Sequence, residues 1–197
     1  MDAHEAMITR RSTRRFKPDA VEPEKLERVI KAGRFAPSGG NSQSNHFLVI
    51  RDEGVLAELI ALVEEAFAKM EVAEDTYASL KSSINQSKRG GYVFDYGAPV
   101  LIVIANKRDY GNNMADVAVA LENMMIAANA LDLGSCYINQ LKWLNEDPAL
   151  LGLLHGLGLG EDERVYGSLA LGYPDTADGL PIREPLPRKG NEVTYIG

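Results

Sequence analysis

Arg10, Arg11, Arg14, Arg15 and Lys17 crowd one short stretch near the start of the chain with Ser12 among them, and Arg183, Arg188 and Lys189 recur near its end. Arginine presents a rigid fork of N–H donors that fits phosphate or carboxylate oxygens two at a time, which lysine cannot do, and a serine hydroxyl adds a further donor. Arg10 and Arg14 stand four apart at the end of an expected helix, where like charges repel unless an anion lies between them. The rest of the chain is acidic: 21 Lys and Arg against 28 Asp and Glu give a net charge of -7. Basic clusters on such a background point to a local anion site. The plainer alternative is a solvated basic cap at a helix C-terminus, where positive charge suits the helix dipole. A surface built for nucleic acid is excluded by the overall charge.

A second group that could do chemistry is Ala36-Pro37-Ser38-Gly39-Gly40-Asn41-Ser42-Gln43. Its glycines allow backbone to approach a ligand closely, and its Asn and Gln amides can pair with the edge of a heterocycle. It lacks the Lys-Ser/Thr ending of a P-loop, and no GxGxxG opens a helix after a strand, so the common nucleotide-binding folds are unsupported. The same residue types also make ordinary connectors. His4, His46 and His155 show no ligand spacing with one another, so no metal site is expected. Cys136, the only cysteine, can form no internal disulfide and reads as a small buried hydrophobe. Met124, Met125 and Trp143 read as packing residues.

These groups need elements to hold them. Asp2 with Glu5 resembles a capping pair and opens a helix to about Arg10. Pro23 begins a second helix that ends near Gly33. His46 to Ile50 is an apolar run bounded by turn formers, hence a buried strand. Helical spacing of Val55, Leu59, Leu62, Val63, Ala66, Phe67 and Met70 marks Gly54 to Met70. The polar stretch Glu71 to Gly91 reads as a helix with a loose connection, the kind of excursion that often forms a lid. Val100 to Ala105 is a central strand, and Asp116 to Leu133, apolar nearly all round and stopped by Gly134, is a core helix. Cys136 to Leu141 is a short extended segment, Asn145 can cap a helix through Leu154, and Val165 to Leu171 is the last internal strand. Asp175 to Gly197 is a Pro- and Gly-rich tail in which Glu192 to Ile196 could pair as an edge strand on this or another chain.

Together these make one domain over 1–197 of mixed α+β class. With 45% hydrophobic and 25% charged residues, a chain this long can bury a full core. No apolar run approaches the roughly 18 residues of a membrane helix, and the acidic Asp2 and Glu5 do not suit a signal peptide. A cytoplasmic protein with no membrane and no nucleic-acid partner is expected.

Five stretches carry a family resemblance. Thr9-Arg10-Arg11-Ser12-Thr13-Arg14-Arg15-Phe16, then the Ala36 to Gln43 loop before His46-Phe47-Leu48-Val49, resembles the double signature that begins flavin-dependent nitroreductase family proteins. The long helix followed by Gly134-Ser135-Cys136-Tyr137-Ile138-Asn139, then Leu169-Ala170-Leu171-Gly172-Tyr173-Pro174, and finally Pro187-Arg188-Lys189, are similar to that family's core helix, last strand and closing basic pair. Each is weak alone; five in register are specific. Two departures stand out. Gln43 is followed by Ser44-Asn45 where the family commonly has Pro-Trp, and residues 71–97 match nothing in the pattern.

The resemblance implies a nitroreductase-like fold, a central mixed sheet flanked by helices in an intertwined homodimer, with FMN at the interface and NAD(P)H as electron donor. Arg10 and Arg188 would hold the FMN phosphate, Arg11 and Ser12 would lie near the phosphate and ribityl chain, and Lys189 would be a weaker contact. Arg14 would face the N1/O2 edge, where a cation stabilises the reduced flavin. Pro37, Ser38, Gly39 and Asn41 would reach the flavin from the other subunit. Tyr137, Ile138 and Asn139 would run along the ring, with the Asn139 backbone N–H toward N5. No side chain need be catalytic: hydride arrives and leaves at N5 in ping-pong fashion, with a nitroaromatic, quinone or similar small molecule as acceptor. The alternatives are a flavin-binding protein without turnover, or a member that dehalogenates reductively or fragments a flavin ligand.

Overall fold

A computed structural model describes residues 1–197. It contains α1 (Ala3–Thr9), α2 (Pro23–Arg34), β1 (His46–Ile50), α3 (Glu53–Ala68), α4 (Ala78–Arg89), β2 (Val100–Lys107), α5 (Asn113–Ala130), β3 (Gly134–Ile138), α6 (Gln140–Trp143), α7 (Pro148–Gly156) and β4 (Glu163–Gly172) in chain order. The strands form one sheet in the order β1-β2-β4-β3. Every neighbouring pair is antiparallel, so the sheet is not mixed within one chain. The single parallel pairing is an isolated bridge from Ser12 to Ser135, because the arginine-rich segment is too short and polar to extend it into a strand.

β2 shows why the sheet sits in the middle. Its residues are buried on both faces, Leu101, Val103 and Ala105 facing one apolar cluster with α3, α6 and α7. Val100, Ile102 and Ile104 face the other, with α2 and α5. The result is three layers, helix–sheet–helix, with α5 buried against the sheet. Met124 and Met125 lie in that second cluster as core filler. Because the start of β3 and the end of β4 lie beside the segment Arg10–Lys17, the sheet's rim becomes the floor of the basic region. Thr13 N–H donates to Ser135 O at 2.9 Å, Lys17 N–H to Tyr173 O at 2.8 Å, and Asp175 N–H to Arg15 O at 3.0 Å.

Several boundaries differ from those read in sequence. α1 starts as expected, Asp2 Oδ1 accepting from Glu5 N–H at 2.8 Å, and ends within a residue of the expected stop, at Thr9, with Arg10 as its C-cap. α5 runs three residues earlier than expected and stops at Ala130 because Asp132 takes a left-handed φ of 63°; Gly134 instead opens β3. Asn145 does not cap α7. It pairs with both backbone groups of Val165, and Asp147 supplies the cap through Ala149 and Leu150 N–H. The tail beyond Pro181 forms no strand on its own chain, and Val193, Tyr195 and Ile196 are 71%, 92% and 97% exposed.

Candidate active site

Arg10, Arg11, Ser12, Arg14 and Arg188 converge on one cavity of about 210 Å³, closed on one side by Leu186. The sequence separates Arg188 from the others by most of the chain; the fold brings it back because Arg183 anchors the tail, donating to Asn129 O at 2.6 Å and pairing with Asp132 at the end of α5. Arg183 is thus a fastening rather than part of the cavity, and Lys189 is exposed and does not line it. Arg15 also turns away, bonded to Asp175 at 2.6 Å.

The charges left in the cavity are poorly neutralised. Arg11, Arg14 and Arg188 have no carboxylate within ion-pair distance, and the nearest to Arg10 is Glu122 Oε1, 3.8 Å from Nε. Arg10 Nε is itself buried without a hydrogen-bond partner. Burying a charged donor unpaired is costly, so the cavity is built for an anion with several oxygens. Gly134 lets this segment lie against the sheet: a Cβ there would meet Thr13 at 2.7–2.9 Å.

Behind the arginines stands β3. Cys136 is buried on the α3 side of the sheet, where burial pushes its thiol above its ordinary value while the charges of Arg14 and Arg10 pull the other way. That is the inert thiol expected of a core cysteine. Tyr137 points to the opposite face and is 40% exposed; it lies across Gly167, where a Cβ would come within 2.8 Å of its ring. Ile138 is buried. The Asn139 backbone N–H donates to Gln140 Oε1 at 3.1 Å, and Asn139 Oδ1 is buried with no donor.

The Pro37–Gln43 loop lies apart from this cavity in the chain. Ser38 and Asn41 line a separate open cavity of about 650 Å³ with Arg34, Phe35 and Gln43. Gly39 opens a short 3-10 turn to Asn41, and Gly40 and Asn41 take left-handed φ of 57° and 55°. Gly39 has no room for a side chain, since a Cβ would sit 2.0 Å from Asn112 Nδ2. The residue holding the loop is one that the motifs did not disclose. Asp116, 4% exposed, accepts from Gly39 N–H at 3.0 Å, Tyr110 O–H at 3.0 Å and Ser42 O–H at 3.3 Å. Its backbone carbonyl accepts from Asn45 Nδ2 at 3.0 Å, and Asn45 Oδ1 accepts from the buried Asn106 at 2.8 Å. The sequence did carry a signal: Asp116 falls four and eight residues before Ala120 and Met124, both fully buried, so the stripe predicts a buried carboxylate in need of donors.

His46 and His155 are each bonded to a glutamate, Glu163 at 2.7 Å and Glu161 at 2.9 Å, and no three metal-binding side chains converge anywhere. No helix is long and apolar enough to cross a membrane.

A family model described as the nitroreductase family matches residues 7–173. The chain belongs to that family. A solved nitroreductase with bound FMN from Bacteroides fragilis is 31% identical and superposes with a TM-score of 0.85 over 100% of both chains. A second FMN-bound nitroreductase, from Desulfitobacterium hafniense, shares the fold at a TM-score of 0.81 with 22% identity, again over 100% of each chain. A relative in Archaeoglobus fulgidus, provisionally named NADH dehydrogenase/NAD(P)H nitroreductase, is 30% identical over 85% of this chain and 83% of its own length. The nitroreductase resemblance read from five separated stretches is therefore that of the fold as a whole, including residues 71–97, which build α4 and its exit.

Proposed function

We propose that this nitroreductase-family chain is an FMN-dependent oxidoreductase that draws electrons from NAD(P)H and passes them to a small electron-poor acceptor such as a nitroaromatic or quinone. The observation that carries the reading is the cavity of Arg10, Arg11, Ser12, Arg14 and Arg188, in which Arg10 Nε is buried with no hydrogen-bond partner. A phosphate monoester fits that donor set: it offers three oxygens to guanidinium forks and neutralises Arg11, Arg14 and Arg188, which have no carboxylate within ion-pair distance, along with Arg10, whose nearest is 3.8 Å away. Family relatives carrying FMN support the same ligand.

FMN, when bound, supplies hydride-transfer chemistry at its isoalloxazine ring. The chain's own residues do the rest. Arg10 and Arg188 grip the phosphate end, and Arg11 and Ser12 orient the chain that follows. Arg14, whose guanidinium lies 6.0 Å from the Tyr96 ring centroid, holds positive charge where the reduced ring carries negative charge. Tyr137, Ile138 and Asn139 would form the wall beside the ring.

The second half of the site comes from a second copy of the chain. The Pro37–Asn41 loop does not reach the arginine cavity in one chain, and its residues line an open cavity of their own. The tail gives the means of assembly. β1 is an edge strand with an unpaired outer side, flanked by a shallow apolar cavity of Leu48, Val49, Ile50, Val55 and Leu157. Val193, Tyr195 and Ile196 of a partner's tail would cover such an edge, each contributing about 1.5–3 kcal/mol before ordering entropy is subtracted.

The function is tested by steady NAD(P)H oxidation in the FMN-loaded protein, with and without an added quinone. Acceptor-dependent turnover is expected. A protein that holds FMN yet oxidises neither NADH nor NADPH would be a flavin binder and not this enzyme.

A further inference from the structure

Beneath the ring wall runs a directed chain of hydrogen bonds that no motif announced. Asn139 N–H donates to Gln140 Oε1 at 3.1 Å. Gln140 Nε2 lies 2.9 Å from Tyr92 Oη and 3.4 Å from Ser83 Oγ. Tyr92 Oη and Ser83 Oγ are 2.8 Å apart, and Ser83 Oγ lies 3.1 Å from Ser79 O.

Only one arrangement of protons satisfies every partner. Ser79 O can only accept, so Ser83 donates to it; Tyr92 O–H then donates to Ser83, and Gln140 N–H donates to Tyr92. This leaves Gln140 Oε1 facing the backbone N–H of Asn139. Turning the Gln140 amide over would set two donors against each other, so its orientation is fixed. Ser83 is 2% exposed and Tyr92 9%, and burial pushes the Tyr92 hydroxyl above its ordinary value, so the phenol stays a neutral link. Tyr92 is held in turn by its own N–H, bonded to Glu64 Oε1 at 2.9 Å.

We infer that Gln140, anchored by Tyr92 and Ser83, is a positioning residue that competes with bound flavin for the Asn139 backbone N–H and so sets how strongly the protein donates to the ring. The inference rests on the proposed function, which puts Asn139 against the flavin. It also gives residues 71–97 a role, since α4 and its exit supply Ser79, Ser83 and Tyr92, the far end of the chain that holds Gln140. The competition has a definite sign. In the free protein Asn139 N–H is already satisfied, so flavin gains only a share of it. Replacing Gln140 with an apolar residue of similar size leaves that N–H without a partner until flavin arrives, and binding then gains a full hydrogen bond.

The test uses the FMN-loaded full chain, its Gln140→Leu variant and its Tyr92→Phe variant. Release of FMN on dilution gives the dissociation constant, and dye-coupled reduction gives the flavin midpoint potential. Gln140→Leu should hold FMN about three- to tenfold more tightly, with a lower midpoint potential, since an undivided N–H favours the oxidised ring that can accept it. Tyr92→Phe, which keeps Gln140 but removes the nearer of its two anchors, should move both readouts the same way by less, and it decides the matter if Gln140→Leu fails to fold. A merely structural Gln140 would instead loosen the wall, weakening FMN and leaving the potential in place. Variants that bind FMN no more tightly than the parent, at an unchanged potential, overturn the inference while the proposed function stands. A parent that binds no FMN overturns both.

Discussion

Replacing Asp116 with alanine should unlock the Pro37–Gln43 loop. The carboxylate takes three donors from two loop residues and Tyr110, at 3.0, 3.0 and 3.3 Å. The losses are unequal. Tyr110 O–H has a second acceptor in Gly39 O at 2.9 Å and can turn to it, and Ser42 also lies 3.2 Å from Ser44 Oγ. Gly39 N–H has no such alternative. The main loss is therefore one charge-assisted hydrogen bond, about 1.5–3 kcal/mol, with the smaller contributions bringing the total to roughly 2–4 kcal/mol. If about 2 kcal/mol of this falls on local opening of the loop, exchange of the Gly39 amide should quicken some thirtyfold. Hydrogen exchange followed by NMR reads this directly. Asp116→Asn keeps one acceptor for Gly39 and should lie between parent and alanine variant. A Gly39 amide that exchanges as slowly in Asp116→Ala as in the parent would refute the claim that this side chain holds the loop.

Other substitutions separate the proposed roles. Arg10→Ala and Arg188→Ala should each weaken FMN by about 1.5–3 kcal/mol, roughly ten- to a hundredfold in a binding titration. Lys189→Ala, whose parent residue lies outside the cavity, should match the parent; a loss equal to that of Arg188→Ala would put Lys189 in the site after all. Arg14→Ala should lower the flavin potential more than it weakens binding, as a redox titration would register. Deleting Glu192 to Gly197 should weaken dimer and FMN binding together, and a monomer still fully loaded with FMN in light scattering would show the site complete in one chain. Asp95, 1% exposed, has its carboxyl pushed up by burial. Its folded state thus keeps a proton that the unfolded chain has lost, so stability falls as pH rises from about 4 through the folded value. Asp95→Asn keeps an acceptor for Gly97 N–H and should gain on the parent over that range; a stability difference constant with pH would contradict the assignment.

How much of this was legible depends on how local each signal was. β1 was read residue for residue because an apolar run between turn formers leaves little choice. The arginine cluster was legible as residue types, but the separation of Arg15 and Arg183 from the anion cavity was not, since Asp175 and Asp132, which hold them, lie 160 and 51 positions away in sequence. The stop of α5 was misplaced because an end is set by one backbone conformation, here that of Asp132, rather than by a periodic pattern. The Asp116 and Gln140 networks join residues up to 77 and 57 positions apart through their side chains. Only the burial of Asp116 could have been anticipated, from its place on an apolar stripe.

In the proposed site, the cavity of Arg10, Arg11, Ser12, Arg14 and Arg188 holds the phosphate of FMN. The direct measurement is a comparison of FMN with riboflavin, which differs by that phosphate alone, in titrations of the parent and of the Arg10→Ala/Arg188→Ala double variant. The parent should prefer FMN by about a hundredfold or more, as two charge-assisted contacts would give. Most of this preference should disappear in the double variant while riboflavin affinity barely changes. Equal binding of the two ligands by the parent, or a preference that survives loss of both arginines, would contradict it.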